Sequence, residues 1–207
     1  MFSRPRVLSS TSYRQIIVFA SQIPRSGDRG PATLDCVLKF FASKARISYE
    51  RERTTYNQLL SERINLCYPR PHGYAEWPPA KYRKAVGRGR ATLLEDDPDS
   101  TIYVLLLQYI RNAQPLSAVL PVSLEIATLA LEGLANLHQV GIVHGDISLS
   151  NVLVVNEDKK PTKIVWLDFA SSWVDASPEQ IDWEEDRAAE YFAEWVYFSV
   201  RESSLTN

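Results

Sequence analysis

The sequence predicts an α+β protein in two lobes, a β-rich first lobe and a shorter, helical second one. Short apolar runs of strand length crowd the first half of the chain. The clearest helical periodicity falls at 124–138, and two more short apolar runs, 152–155 and 164–167, follow it. That order places the first lobe at 1–110 and the second at 111–207, with a hinge near Gln108 to Asn112.

Taken in order, Pro5 to Leu8 and Gln15 to Ala20 read as strands joined by Ser9-Ser10-Thr11-Ser12. A turn-rich stretch, Pro24 to Pro31 with Gly27 and Gly30, leads to a third strand, Leu34 to Phe41. Tyr49 to Leu60 carries Tyr49, Thr55 or Tyr56, Leu59 and Leu60 near helical spacing, with charges between them. Ile64 to Tyr74 reads as a short strand interrupted by prolines. Residues 75–100 form a polar insertion, basic first (Lys81, Arg83, Lys84, Arg88, Arg90) and acidic after (Glu95, Asp96, Asp97, Asp99). Opposite charges so close together suit a self-neutralising solvated loop better than a nucleic-acid site. Tyr103 to Ile110 is the strongest strand. Leu124 to His138 is the clearest helix: Leu124, Thr128, Leu131, Leu134 and Leu137 share a face, Ser123 caps it and Gly141 ends it. A last helix, aromatic-rich, is expected over Glu184 to Val200.

With 207 residues, 45% of them hydrophobic and 23% charged, the chain has the composition of a globular protein. A net charge of −2 argues against a general polyanion binder, nucleic acid included. Cys36 and Cys67 are too few for a disulfide framework and lack metal-ligand spacing, so both read as reduced and structural. No stretch approaches the roughly 18 apolar residues of a membrane span, so no membrane partner and a cytoplasmic location are expected. Residues 1–27, with Arg4, Arg6, Arg14 and Arg25, several serines and no acid, also suit a mitochondrial transit peptide. A folded strand pair is the preferred alternative.

The chemistry concentrates at 144–151, His-Gly-Asp-Ile-Ser-Leu-Ser-Asn, and at 166–169, Trp-Leu-Asp-Phe. Asp146 and Asn151 fall on a tight loop flanked by the apolar runs Val140 to Val143 and Val152 to Val155. Asp168 ends the run Ile164 to Leu167. Strands delivering acids and an amide at their ends place three oxygen ligands around a divalent cation. Mg²⁺ takes such hard ligands, few from protein and the rest from water and phosphate.

This spacing resembles the protein-kinase catalytic loop H-R-D-x-x-x-x-N followed by D-F-G. The resemblance to the protein-kinase-like family covers roughly residues 5–195 and implies a bilobal kinase-like fold that binds ATP and Mg²⁺. Val37-Leu38-Lys39 resembles the strand V-A-I-K, whose lysine contacts the α and β phosphates. Its partner is then Glu52, which shares a helix face with Tyr56 and Leu59, or else Glu50. The resemblance makes Asp146 the group that orients the attacking hydroxyl and accepts its proton, and makes Asn151 and Asp168 the Mg²⁺ ligands. It assigns Ile16, Val37 and Leu153 to the adenine, and Leu107 and Gln108 to the gatekeeper and first hinge positions. His144 and Phe169 match a hydrophobic spine, so His144 is not a metal ligand.

Three departures accompany the match. Leu8-Ser-Ser-Thr-Ser-Tyr13-Arg-Gln-Ile16 aligns with L-G-x-G-x-F-G-x-V but has no glycine, which bears on ATP affinity. Gly145 replaces the arginine that clamps a phosphorylated activation loop. His-Gly-Asp is also what aminoglycoside and choline phosphotransferases and the small kinase of the tRNA-modifying KEOPS complex carry, and Ala170 replaces the glycine of D-F-G. Few residues follow Asp168. Ser177-Pro178-Glu179 resembles A-P-E with almost no activation segment before it, and 185–191 resembles the closing helix of the KEOPS-type kinase, in which Asp186 bonds the catalytic-loop backbone. Trp77, Trp166, Trp173, Trp183 and Trp195 read as core or interface, the last three as a surface for a protein partner. Three functions stay open: transfer of the γ-phosphoryl group of ATP to a hydroxyl, with Ser or Thr of a protein preferred; a pseudokinase that binds or regulates without turnover; and a small-molecule kinase.

Overall fold

Two strands, Thr33–Phe41 (β3) and the nearly unbroken apolar run Ile102–Gln108 (β5), pair antiparallel in a five-stranded sheet. The computed structural model describes residues 7–11, 15–24, 33–62, 67–86, 101–119, 121–158 and 160–205. These fall into two units, Met1–Arg53 with Arg70–Tyr109, and Thr54–Pro69 with Ile110–Asn207. The protein is α+β, with one sheet in each unit. Thr54–Pro69, expected in the first half, belongs to the second unit. Among the described residues no helix is long and apolar enough to cross a membrane.

The sheet of the first unit also holds β1 (Val7–Thr11), β2 (Gln15–Pro24) and β4 (Pro71–Trp77), in the order β1-β2-β3-β5-β4 with antiparallel neighbours. Serines 9 and 10, expected in a turn, lie inside β1, while residues 12–14 and 25–32 fall outside the described set. Alternation along β3 sends Leu38 and Phe40 to one face, where they pack with Ala42, Tyr82, Ile102 and Val104. Lys39 and Phe41 take the other face with Leu105 and Tyr103, their register partners. There Tyr49, on the first half of α1 (Arg46–Ser61), stacks on Tyr103 at 4.9 Å and meets Phe41 edge-on at 5.7 Å. Each such buried aromatic pair contributes about 0.5–1.5 kcal/mol beyond its area.

Two expectations shift in this unit. The strand expected at Ile64 to Tyr74 begins at Pro71, after bends at Cys67 and Tyr68, while 63–66 lie outside the described residues. As an edge strand, β4 tolerates a proline at its first position. The polar insertion expected at 75–100 starts instead with the end of β4 and a helix, α2 (Pro79–Val86). Pro79 suits the first helical position, and Tyr82 anchors the helix by packing on Phe40 at 5.1 Å. Lys81, Arg83 and Lys84 therefore sit on a helix, whereas 87–100 lie outside the described residues.

In the second unit a three-stranded sheet, β6 (Ala113–Pro115), β7 (Val152–Glu157) and β8 (Lys160–Trp166), packs with α3 (Leu124–His138) and α4 (Pro178–Leu205). Only a single bridge, Val143 to Trp173, forms where Val140 to Val143 would have made a strand. Trp166 is fully buried; its Nε1 donates to the Ala130 carbonyl at 3.1 Å, and its ring sits against Gly133 of α3. α3 has the expected bounds, and Ser123 Oγ accepts the Ile126 N–H at 3.3 Å. Ser123→Ala should therefore lower stability by about 1 kcal/mol, read as a lower urea midpoint at unchanged slope.

α4 starts earlier and ends later than Glu184 to Val200. Ser177 and Gln180 form a reciprocal cap, Gln180 N–H to Ser177 Oγ at 3.4 Å and Ser177 N–H to Gln180 Oε1 at 2.9 Å, with Pro178 in the first turn. The residues that resemble A-P-E thus begin a helix.

Candidate functional site

Asp146 and Asn151 are joined directly. Asn151 Nδ2 donates to Asp146 Oδ2 at 2.9 Å and to the Asp146 carbonyl at 3.0 Å. Asn151 is 9% exposed and ends a short 3₁₀ turn, Leu149–Asn151, that leads straight into β7, while Asp146 is exposed. The amide therefore fixes the orientation of an accessible carboxylate. Its own Oδ1 remains the atom suited to a cation.

Asp168 follows β8. Leu167 N–H donates to the Asn151 carbonyl at 2.8 Å, which sets the residue before Asp168 beside the catalytic-loop candidate. Asp168 adopts φ 63°, ψ 73°, a left-handed conformation rare for a residue with a Cβ, and its Oδ1 accepts the Ala170 N–H at 3.3 Å. Such a conformation costs about 1 kcal/mol or more and persists where surrounding structure enforces it. Enforcement comes from both sides. Phe169 is buried against His144 at 5.1 Å and Tyr56 at 5.3 Å, and Ser172 Oγ bonds both the Phe169 carbonyl at 2.7 Å and Thr55 Oγ1 at 2.6 Å.

His144 is structural, as expected. It is fully buried; Nε2 donates to the Leu167 carbonyl at 2.8 Å and Nδ1 accepts the Asp146 N–H at 3.3 Å. Both contacts suit one neutral tautomer. Burial holds the ring below its ordinary pKa, against the hydrogen bond to Leu167 and the negative charges of Glu184, Asp168 and Asp146.

Gly145 has φ +78°, and a Cβ built there would lie 2.2 Å from the Ser171 carbonyl oxygen. The loop backbone passes too close to 171 for any side chain. Its amides are held from α4: Glu184 Oε2 accepts the His144 N–H at 2.8 Å and Oε1 the Gly145 N–H at 2.7 Å. This corrects the expectation for Asp186, which is exposed. Glu184 was legible in principle, since it shares a helix face with Ala188 and Phe192, both buried. Tyr191 adds a further support that spacing does not reveal: its hydroxyl accepts the Leu149 N–H at 3.2 Å.

In the first unit, Lys39 Nζ lies 2.6 Å from Glu52 Oε2, with side chains 3% and 0% exposed. Glu52 is thus the partner, and Glu50 pairs with Arg53 at 2.6 Å and Arg46 at 3.7 Å. Val37 and Leu107 are register partners and take the face of Lys39, and the Gln108 N–H donates to the Arg70 carbonyl at 2.8 Å. In the β2–β3 register Ile16 pairs with Phe40 and Ile17 with Lys39. Leu153, in the second unit, pairs with Val165 in β7 and β8.

Among the described residues no three His, Cys, Asp or Glu side chains gather as a metal cage. The expected ligands are one amide and one carboxylate. That hard oxygen set fits Mg²⁺, which needs few protein ligands. No model of a known protein family matches the chain, and no curated protein compared with it matches either.

Proposed function

We propose that the chain is a protein-kinase-like phosphotransferase of bilobal fold that moves the γ-phosphoryl group of ATP to a hydroxyl, with a Ser or Thr side chain of a protein as the preferred acceptor. The observation that carries this proposal is the Asp146–Asn151 tie, set beside Asp168 in its enforced left-handed turn. The buried Lys39–Glu52 pair supports it, because it is the lysine–glutamate pairing that the kinase resemblance implies.

Asp146 orients the acceptor hydroxyl and takes its proton as the new P–O bond forms and the β–γ bridging bond breaks, releasing ADP. Asn151 keeps that carboxylate aligned. Asn151 Oδ1 and the Asp168 carboxylate would hold Mg²⁺, which supplies positive charge to the β and γ phosphates. Lys39 contributes a second fixed positive charge, and such preorganised charges account for most of the catalysis in phosphoryl transfer. The acceptor's partner surface is assigned to Trp173 and Trp183, about half exposed at 47% and 56%.

One observation favours a second reading. Residues 8–16 contain no glycine where kinases bring backbone amides close to phosphate, which suits a pseudokinase that binds nucleotide without turnover. Thermal shift with Mg²⁺-ATP followed by ADP release separates the two. The expected result is a Mg²⁺-dependent shift, with turnover no faster than roughly 1–100 per second. Asp146→Ala should lower turnover by about 10²–10⁴-fold while leaving nucleotide binding intact. A shift without turnover favours the pseudokinase, and the absence of any nucleotide shift refutes both.

A further inference from the structure

α3 ends on His138, whose ring is buried at 6% exposure. Both ring nitrogens face carboxylates, Nε2 at 2.9 Å from Glu184 Oε2 and Nδ1 at 3.0 Å from Glu185 Oε1. A neutral imidazole has one N–H and one lone pair, so it satisfies one carboxylate and repels the other. The imidazolium donates to both. We propose that His138 is a positioning residue, an imidazolium clamped between Glu184 and Glu185, and that this buried cation holds the 144–146 loop through Glu184.

Glu184 links His138 to the loop. Its two oxygens accept the His144 and Gly145 amides as well as His138, and it is 1% exposed. A buried carboxylate with amide partners alone remains a net charge in a low-dielectric setting, whereas the His138 cation cancels it. Burial alone draws His138 down, yet the hydrogen bonds and charges of Glu184 and Glu185 outweigh it and leave the ring above its ordinary value. Burial pushes Glu184 up, and the hydrogen bonds from His138, Gly145 and His144 bring it below the usual carboxylate range. The groups acting on His138 are these two acids from α4; from the loop, His144 acts on Glu184 and is itself held neutral by burial.

The pH dependence follows by linkage. His138 stabilises the fold fully below its unfolded pKa of about 6.5 and loses that contribution as pH rises through its higher folded value. Glu184 contributes above its unfolded pKa of about 4.5 and loses its part as pH falls through its lower folded value. The loop is therefore held most firmly from about pH 4.5 to 6.5 and loosens on the alkaline side. Only the consequence for turnover rests on the phosphotransferase reading; the charge state of His138 does not.

The test is ¹⁵N NMR of histidine-labelled full chain, without nucleotide. The expected result is a His138 with both nitrogens protonated on the acid side of a midpoint that lies above the ordinary 6.5. Glu185→Gln, at a side chain 51% exposed and so tolerant of change, should lower that midpoint by about one unit. The Gly145 amide should then lose its exchange protection at correspondingly lower pH. A wild-type midpoint at or below 6.5, or one that Glu185→Gln leaves unmoved, overturns the proposal. A raised, Glu185-dependent midpoint in a protein that fails to bind nucleotide refutes the phosphotransferase alone.

Discussion

Gly145→Ala is expected to cost about 3 kcal/mol of stability: roughly 1 kcal/mol for a side chain at positive φ, and roughly 2 kcal/mol for forcing apart packed backbone. The obstacle is the Ser171 carbonyl at 2.2 Å from the built Cβ, and backbone cannot swing aside as a long side chain can. Two held segments would have to separate. The Gly145 N–H is bound to Glu184, and the 169–172 turn is tied through Ser172 to Thr55. In a thermal melt the variant should fall by about 6–12 °C. Gly145→Arg, the residue most kinases carry here, should be no better tolerated than alanine. Stability within about 0.5 kcal/mol of wild type for either variant would contradict the close approach. Glycine in His-Gly-Asp thus has a steric cause in this chain, independent of any missing activation-loop switch.

What was legible in the sequence tracks how local each determinant is. α3 could be read to its ends because Ser123 and Gly141 mark them and its apolar stripe is continuous between. Asp146 and Asn151 were legible for the same reason, since both sit on one short loop. Glu52 required only helical spacing, because Tyr56 and Leu59 share its buried face. α2 was missed because Pro78-Pro79 reads as a breaker, although a proline at the first helical position starts a helix. β6, at three residues, is too short to leave a period.

The misplaced loop contact has a different origin. Choosing Asp186 over Glu184 is an error of two positions, about 200° around a helix, which exchanges the buried face for the solvent one. It depends on tertiary packing that a kinase-like spacing pattern transfers only approximately. His138 carried no local signal at all, because its carboxylate partners lie on α4.

Lys39→Met is expected to destabilise the protein by about 3–5 kcal/mol, because it takes the ammonium at 2.6 Å from a Glu52 carboxylate at 0% exposure. Glu52→Leu should cost a similar amount, because the buried Lys39 ammonium loses the carboxylate at 2.6 Å. The double variant should recover most of the loss, because two apolar side chains of similar volume need no partner. A double-mutant cycle from urea melts should therefore give a coupling of about 2 kcal/mol or more. Near-additive losses would mean that the 2.6 Å pair is not formed in solution. The same double variant divides stability from chemistry. It keeps the fold while removing the charge that phosphate would meet, so Mg²⁺-ATP should no longer shift its melting. A stable double variant that still answers to Mg²⁺-ATP would leave Lys39 a structural ion pair, and the phosphates would have to be met elsewhere.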